Sequence, residues 1–520
     1  MKAVLVFVLM GLVLGTMGMG QVLKIAFDAA DLKTLDPHYA AATMDRAVVD
    51  MIFNGLVRYK PGDITVLEPD LALSWEVSED GLVWTFHLRP GVMVHPFAEM
   101  PEGYELTSED VVFSLEKAAD KNRSAYAGEY VGMTFEAVDR YTVKIVLPQA
   151  ISASLLLPKF ANYSGGFIVP KKAYEALGPK FATNPVGTGP FMFKEYVPTQ
   201  KVVLIRNERY FRGAPKLAGV EVWYMPDVTA RLSAVITGEV HVIEGVREQA
   251  WVEAVKRYPD LTVDVFGPGE TEVLHINMTK PPFTDLRVRQ AVAYAIDRSE
   301  LIAAIGPDIA EPLCAAVPPY LAGGMTCEEV AQKGLLYEVD REKAKALLAE
   351  AGYPEGFEIS AYITERASYR KPFENIQAQL AKVGIKLNIT VVDHSSFHTL
   401  IRQDVNPLVH YEAWRPSADA FLTRFYHSAS RVVVGTKPDT NFSHVTSVDG
   451  LIEAARYELD PEKQIELWKE AQIKLLEEVA SYPLYILKFV FVRTKKLDYG
   501  YELKSSLALY PPVNELTTLK

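Results

Sequence analysis

The sequence predicts an α/β protein built in more than one lobe. The chain has 520 residues, more than one hydrophobic core usually organises, so two or three lobes are expected. A hydrophobic content of 49% indicates a folded chain rather than a disordered one. In the second half, strand-like runs alternate with amphipathic helical patterns, which is typical of a mixed α/β lobe.

The first half begins with strand signals around one helix. Alternating apolar residues predict strands over residues 82–88 and 141–147, each ended by a turn or proline. Between them, residues 107–110 (TSED) resemble a capping box, followed by apolar residues at helical spacing.

The second half contains more helix. Asp285, Asp340, Pro372 and Asp460 each begin a predicted helix, and glycines 352 and 384 end two of these helices. Strand-like runs follow at residues 357–362, 385–392 and 484–492. The best internal boundary is residues 267–269 (GPG), because few residues there can join a regular element.

The first twenty residues resemble a secretory leader. Lys2 precedes an uncharged apolar run, and residues 18–20 (GMG) have the small-x-small pattern that precedes signal-peptidase cleavage. We therefore expect a mature chain that starts near Gln21 and works in the periplasm or outside the cell. An uncut membrane anchor, which would make the protein a tethered sensor, is the alternative.

The net charge excludes some classes of binding partner, and the cysteine content indicates a disulfide. The net charge of −12 is dispersed, which argues against nucleic acid or an anionic membrane as a partner. The two cysteines, Cys314 and Cys327, flank a short Pro/Gly-rich stretch in an oxidising compartment. A disulfide is expected there, worth roughly 3 kcal/mol, with two unpaired thiols as the alternative.

Seven sequence blocks, in order, resemble the large extracytoplasmic solute-binding proteins of ABC importers, the peptide/nickel-binding family 5. The blocks are residues 34–38 (TLDPH) with 52–57 (IFNGLV), 69–81 (PDLALSWEVSEDG) with 86–89 (FHLR), 108–115 (SEDVVFSL), 184–191 (NPVGTGPF), 287–291 (RVRQA), 295–298 (AIDR) and 351–354 (AGYP).

The resemblance implies a two-lobed type II periplasmic-binding-protein fold with an extra subdomain in the first lobe. We expect residues 1–20 to be the signal peptide, residues 21–60, 167–268 and 486–520 to form lobe I, residues 61–166 to form the extra subdomain, and residues 269–485 to form lobe II. The chain should cross between the lobes near residues 267–269 and 481–485. A hinge of this kind lets a ligand shift the balance between open and closed states.

The same resemblance implies a monomeric receptor that hands a solute to membrane permease subunits. It implies no cofactor and no catalytic residue, with ATP hydrolysis on a separate subunit. This agrees with the absence of a GxxxxGK[ST] loop from the sequence. A short peptide or peptide-like solute is the expected cargo. The alternatives are an oligosaccharide, a nickel chelate or haem, and, in a different class, a secreted hydrolase on a similar frame.

The block at residues 414–419 (WRPSAD) is the main candidate ligand site. It stands where relatives carry a Trp and an acidic loop that receives the α-amine of a peptide. The first Asp and the Asp-Pro step of that loop are missing here, which puts ordinary peptide binding in doubt. Trp414 offers a flat apolar surface, Arg415 could clamp a carboxylate, and Asp419 could take an amine. The alternative is that Arg415 and Asp419 pair only with each other.

Weaker candidates lie elsewhere. Arg366 and Arg370 lie on a predicted strand-to-helix connection, a position that commonly faces a ligand cleft. Tyr39 follows the TLDPH block, and Asn277 lies past the expected hinge; both could equally be structural.

Two histidines, His394 and His398, are four residues apart and could share a metal ion if they lie on a helix. We interpret them as a solvated or capping pair and predict no metal site. Neither a GxSxG nor an HExxH motif occurs in the sequence.

Overall fold

A computed structural model describes residues 20–520, and the predicted signal peptide lies almost wholly outside this range. Most of the secondary structure up to the hinge alternates short strands with helices. The elements are β1 (Val22–Phe27), α1 (Thr43–Ile52), β2 (Val57–Lys60), β3 (Asp63–Pro69), β4 (Ala72–Val77), β5 (Val83–Leu88), β6 (Met93–Val94), β7 (Tyr104–Glu105), α2 (Ser108–Ala119), β8 (Thr134–Asp139), β9 (Thr142–Val146), α3 (Ala153–Leu156), α4 (Lys171–Leu177), β10 (Phe191–Val197), β11 (Lys201–Arg206), β12 (Gly219–Tyr224), α5 (Val228–Thr237), β13 (Val242–Glu244) and α6 (Gln249–Val255).

The remaining elements are richer in helix, as the sequence predicts. They are β14 (Leu261–Ile276), α7 (Leu286–Ala295), α8 (Arg298–Ile305), β15 (Ala310–Pro312), α9 (Cys327–Gln332), α10 (Arg341–Glu350), β16 (Phe357–Thr364), α11 (Ala367–Ala381), β17 (Ile385–Val392), α12 (His394–Arg402), β18 (Leu408–Ala413), α13 (Ala418–Tyr426), α14 (Asp449–Tyr457), α15 (Pro461–Glu477), β19 (Ser481–Thr494), β20 (Leu497–Asp498) and β21 (Thr518–Leu519). Among the described residues, every helix is too short or too polar to cross a bilayer.

One large sheet runs through the molecule in the strand order β10-β11-β12-β1-β13-β19-β14-β18, with β15 also paired to β19. Strands β1, β12 and β13 are parallel, so their carboxyl ends lie at one edge. A separate antiparallel sheet, β4-β5-β9-β8, belongs to the stretch predicted as the extra subdomain.

Two hydrophobic clusters dominate the interior. The first joins residues of β1, α1 and β12 to residues of β5 and α2, and it includes Phe86 and Phe160. The second gathers the helices after β14 around Phe373, Trp468 and Tyr482. Strands β14 and β19 contribute to both clusters, so they join the two halves of the molecule.

The hinge sequence differs from its prediction in one respect. We expected residues 267–269 to fall outside regular structure, but β14 runs through them. Its pairing with β19 shifts register between Phe266 and Glu270, which lets the ribbon bend without ending.

Helix starts follow the predicted caps with one exception. Asp285, Asp340 and Asp460 each accept a hydrogen bond from a backbone N–H of the first helical turn. Pro372 does not begin its helix: α11 starts at Ala367 and contains the proline. The backbone N–H that proline lacks would bond the carbonyl of Ser368, near the helix start, so little of the ladder is lost.

One disulfide and two side-chain hydrogen bonds hold outlying segments in place. Cys314 and Cys327 are joined by a disulfide, with their Cα atoms 5.1 Å apart. The hydroxyls of Ser152 and Ser154 donate to Oε1 of Gln464 at 3.0 and 2.6 Å. Since Gln464 lies on α15, these bonds tie the α3 region to the second half of the molecule.

Candidate functional site

A cavity of about 590 Å³ lies between the α3 region and the helices α13 and α14. This volume is in the range of small-ligand sites. Residues 128–164 form one wall, and residues 416–457 form the other. Its charged residues are Glu129, Lys159, Asp419, Arg424 and Arg456.

Asp419 reaches this cavity because of how β18 ends. After Ala413 the chain turns, and the Ser417 hydroxyl caps α13 by accepting from the N–H of Ala420 at 3.2 Å. Asp419 therefore lies in the first turn of α13, where the helix dipole favours a carboxylate. Burial nevertheless raises the pKa of Asp419, and the ion pair with Arg456, at 3.1 Å, opposes this only in part.

Arg456 also donates to the hydroxyl of Thr423, so the Asp419–Arg456 pair is fixed on the second wall. On the first wall, Lys159 pairs with Glu129. Arg424 pairs with Asp439 at 2.6 Å. The acidic and basic groups of the cavity thus already form ion pairs with one another or with neighbours. A solute that carries both charges could replace one partner in such a pair.

Trp414 and Arg415 do not line the cavity. The Arg415 guanidinium lies 4.9 Å above the ring of Phe425 and donates to the carbonyl of Trp414 at 2.7 Å. Burial, with a contribution from Arg424, lowers the pKa of Arg415 to about 10. Asp419 pairs with Arg456 instead of Arg415, so the alternative of an Arg415–Asp419 pair is wrong.

Arg366 and Arg370 lie at the start of α11, apart from the cavity. Arg366 occupies the position before the first helical residue and is exposed. Arg370 is on the helix rather than on the connection, because α11 begins earlier than predicted, and it pairs with Glu374 at 2.9 Å.

The two remaining candidates also lie away from the cavity. The Tyr39 hydroxyl donates to the carbonyl of Asn122 at 2.9 Å, and the residue is 40% exposed. Asn277 is buried, donates to Asp404 at 2.7 Å and accepts from the hydroxyl of Thr279. The side chain of Asn277 therefore has a structural environment.

A second charged cluster, which the sequence did not suggest, lies beside the hinge. Arg247 follows β13 and donates to Glu270 of β14 at 2.5 Å and to Glu412 of β18 at 3.1 Å. Burial alone would raise the pKa of Glu270, but Arg247 lowers it overall. Burial and the neighbouring Glu272 raise the pKa of Glu412. Arg247 thus links the segment after β13 to strands β14 and β18.

Behind this cluster, Glu272 and His410 are fully buried. The carboxylate and the imidazole approach to 3.0 Å but are not aligned for a hydrogen bond. Burial raises the pKa of Glu272 well above its usual range and lowers the pKa of His410 to about 4. Burial therefore favours the uncharged form of each group.

Sequence reasoning missed Lys159, Glu129 and Arg456 as well as the hinge cluster. No local motif marks them, because each becomes a neighbour of its partners only through contacts across the fold. Within residues 20–520, no group of three His, Cys, Asp or Glu side chains is arranged to hold a metal ion.

Comparison with known proteins places this geometry in a family. Residues 66–432 match the model of the bacterial extracellular solute-binding proteins, family 5 Middle. The chain belongs to this family. Solved structures of family members share the two-lobed periplasmic-binding-protein fold, and the family role is that of a substrate-binding receptor for an ABC importer.

Three relatives show the range of ligands. The binding protein MoaA of A. tumefaciens R10, solved in complex with mannopinic acid, is 40% identical, with a TM-score of 0.77, and the match covers 96% of this chain and 100% of MoaA. Heme-binding protein A of Haemophilus influenzae is 30% identical over 474 residues, covering 85% of this chain and 83% of the relative. Glutathione-binding protein GsiB of Salmonella typhi is 30% identical over 481 residues, covering 90% of each chain.

Proposed function

We propose that this receptor captures a short peptide or peptide-like solute in the cavity between residues 128–164 and 416–457 and delivers it to membrane permease subunits. The observation that carries the proposal is the mixed charge of the cavity, with acidic and basic groups on both walls. A zwitterionic solute matches such a surface, because its ammonium and carboxylate groups each find an opposite charge.

In this proposal Asp419 receives the ammonium group of the solute. It lies at a helix start and exposes part of its carboxylate to the cavity beside Arg456. Arg424 and Lys159 are the groups available for a solute carboxylate. Arg415 and Trp414 act indirectly: Arg415 stacks on Phe425 and donates to the Trp414 carbonyl, which helps to fix the loop that carries Asp419.

Arg366, Arg370 and Tyr39 lie away from this cavity and are not among its solute contacts, and Asn277 has a structural role. Closure occurs about the β14–β19 ribbon, with the lobe boundaries at residues 268/269 and 485/486 and the extra subdomain at residues 61–166. The two hydrophobic clusters support that division, although Val252 of α6 packs with the second cluster. The mature chain begins near Gln21 outside the cytoplasm, works as a monomer and has no catalytic activity.

A second candidate solute is a carboxylate-bearing compound such as mannopinic acid, since MoaA is the relative with the higher identity of the three. Such a solute would use the same basic groups of the cavity. Glutathione is a peptide, so the similarity to GsiB favours the first proposal.

The test is a thermal-shift panel on the mature chain with di- to pentapeptides, glutathione, mannopinic acid, oligosaccharides, haem and nickel with chelators. A ligand at 100 times its Kd adds about 2.7 kcal/mol to the unfolding free energy, enough to raise Tm. Peptide stabilisation that is lost in Asp419→Asn supports the proposal.

The matched control is Asp308→Asn, which removes an acid from an ion pair outside the cavity. Stabilisation by sugars or haem with silent peptides would reject a peptide cargo. Consumption of any solute would reject the receptor-only role.

A further inference from the structure

Helix α12 places His394 and His398 on one face, directly beside each other. Their Nε2 atoms are 3.0 Å apart, and the ring centres are 4.4 Å apart. Both side chains are partly exposed. Neither lines the cavity between α3 and α13, so this pair is independent of the proposed solute site.

The hydrogen bonds around the pair assign its protons. Arg402 has only donors, so its Nη1, 3.1 Å away, requires Nδ1 of His398 to accept. Nε2 of His398 then carries the proton and donates to Nε2 of His394. Nδ1 of His394 in turn donates to the hydroxyl of Thr364 at 3.2 Å.

Imidazole nitrogen is a common ligand for divalent transition metal ions. In this pair the Nε2 atom of His394 already uses its lone pair to accept the hydrogen bond from His398, so an ion that takes the place of that proton meets a nitrogen lone pair directed at it.

We propose that His394 and His398 form a two-imidazole site for a divalent transition metal ion, with Cu²⁺ preferred over Ni²⁺. With metal–nitrogen bonds of about 2.0–2.1 Å, the observed separation of the two Nε2 atoms gives an angle of about 91–97° at the metal. That angle suits square-planar or tetragonal ions better than tetrahedral Zn²⁺. The order of the two ions follows the Irving–Williams series.

The neighbouring side chains favour metal coordination by His394 but oppose coordination by His398. Coordination through Nε2 requires a proton on Nδ1 of both rings. For His394 this proton already donates to Thr364, whose hydroxyl donates to Glu365 at 3.1 Å, an arrangement that orients a metal-binding ring. For His398 the proton would meet Nη1 of Arg402, which also donates to the His398 carbonyl at 3.1 Å, so this nitrogen must move away from Nδ1.

The site therefore has two protein ligands, and water or a small anionic ligand completes the coordination. No third His, Cys, Asp or Glu among residues 20–520 joins them. The positive charges of Arg402 and Arg366 weaken the binding of a bare cation, which gives a specific expectation: Arg402→Gln should strengthen binding.

The test is a titration of the mature protein with Cu²⁺ alone, followed by calorimetry and electron paramagnetic resonance. One ion per chain should bind with two nitrogen ligands in an axial spectrum. His394→Gln and His398→Gln should each weaken binding at least about tenfold. The matched control is His87→Gln, which removes a partly exposed histidine that pairs with Glu76 on the extra subdomain.

Retained binding in both His394→Gln and His398→Gln, or equal loss in His87→Gln, would overturn the site. Weaker binding of Cu²⁺ alone in Arg402→Gln would also overturn it, because removal of a positive charge beside the two imidazoles should favour a bare cation. Far-ultraviolet circular dichroism checks that each variant folds. Since the pair lies away from the cavity, solute stabilisation should be unchanged in His398→Gln, so the two proposals fail separately.

Discussion

Replacing Lys117 with methionine should destabilise the protein strongly. Lys117 lies on α2 with its side chain fully buried, and its ammonium is 3.0 Å from the carboxylate of Asp36. It also donates to the carbonyl of Arg123 at 3.1 Å. The substitution keeps an unbranched side chain of similar length but leaves the buried carboxylate of Asp36 without its counter-charge.

The expected cost is about 3–5 kcal/mol, the range for breaking one partner of a buried ion pair. Coulomb attraction at this distance gives the same order, about 5–6 kcal/mol at an effective dielectric constant of 20. Because Asp36 belongs to the loop after β1 and Lys117 to α2, the loss also weakens the contact between that loop and α2.

Urea unfolding of the purified variant measures this cost. Lys256→Met is the control, because Lys256 pairs with Asp308 at the surface, where an ion pair contributes about 1 kcal/mol or less. The double variant Asp36→Asn with Lys117→Met should recover at least about 2 kcal/mol, since no charge stays unpaired. A decrease in unfolding free energy of less than about 1 kcal/mol in Lys117→Met would contradict the inference that the Lys117–Asp36 pair holds the fold together.

Three further predictions concern pH, the disulfide and the hinge. Burial lowers the pKa of His95 to about 4, so the unfolded chain takes up a proton at a higher pH than the folded one. The unfolding free energy of the wild type should therefore fall by about 3 kcal/mol relative to that of His95→Gln as pH falls from 6.5 to 4. Parallel pH profiles of urea unfolding for the two proteins would contradict this. The double variant Cys314→Ser, Cys327→Ser should be less stable to unfolding than the oxidised wild type by roughly 3 kcal/mol, and reductant should not change the stability of the variant. Equal unfolding midpoints for the variant and the oxidised wild type would contradict this prediction. Arg247→Met should cost about 1–3 kcal/mol; because burial then raises the pKa of Glu270 as it does that of Glu412, the variant should lose further stability relative to the wild type as pH rises, and parallel unfolding profiles from pH 5 to 8 would exclude a role for this cluster.

Local sequence signals predicted helices and strands well where a cap or an alternation marks them. The capping box at Thr107 and Asp110 forms as expected, and the strand predicted over residues 385–392 is β17. Pro372 misled the prediction because a proline near a helix start resembles one that begins it. Residues 267–269 misled it because β14 continues through them as an irregularity, with pairing to β19 on both sides.

The candidate site was predicted only in part, for a physical reason. Asp419 could be identified because it follows a recognisable block and lies in the cavity. Its partner Arg456 is on another helix, and the opposite wall comes from residues 128–164, so neither has a sequence signature. Which side of a loop faces a cavity depends on packing, as Arg415 shows by stacking on Phe425 rather than facing the cavity.

A structure of the mature chain bound to its most stabilising peptide would show directly where the solute lies. We expect the peptide between residues 128–164 and 416–457, with its ammonium group within hydrogen-bond distance of the Asp419 carboxylate, about 3 Å. A peptide bound elsewhere, with the Asp419–Arg456 pair untouched, would contradict it.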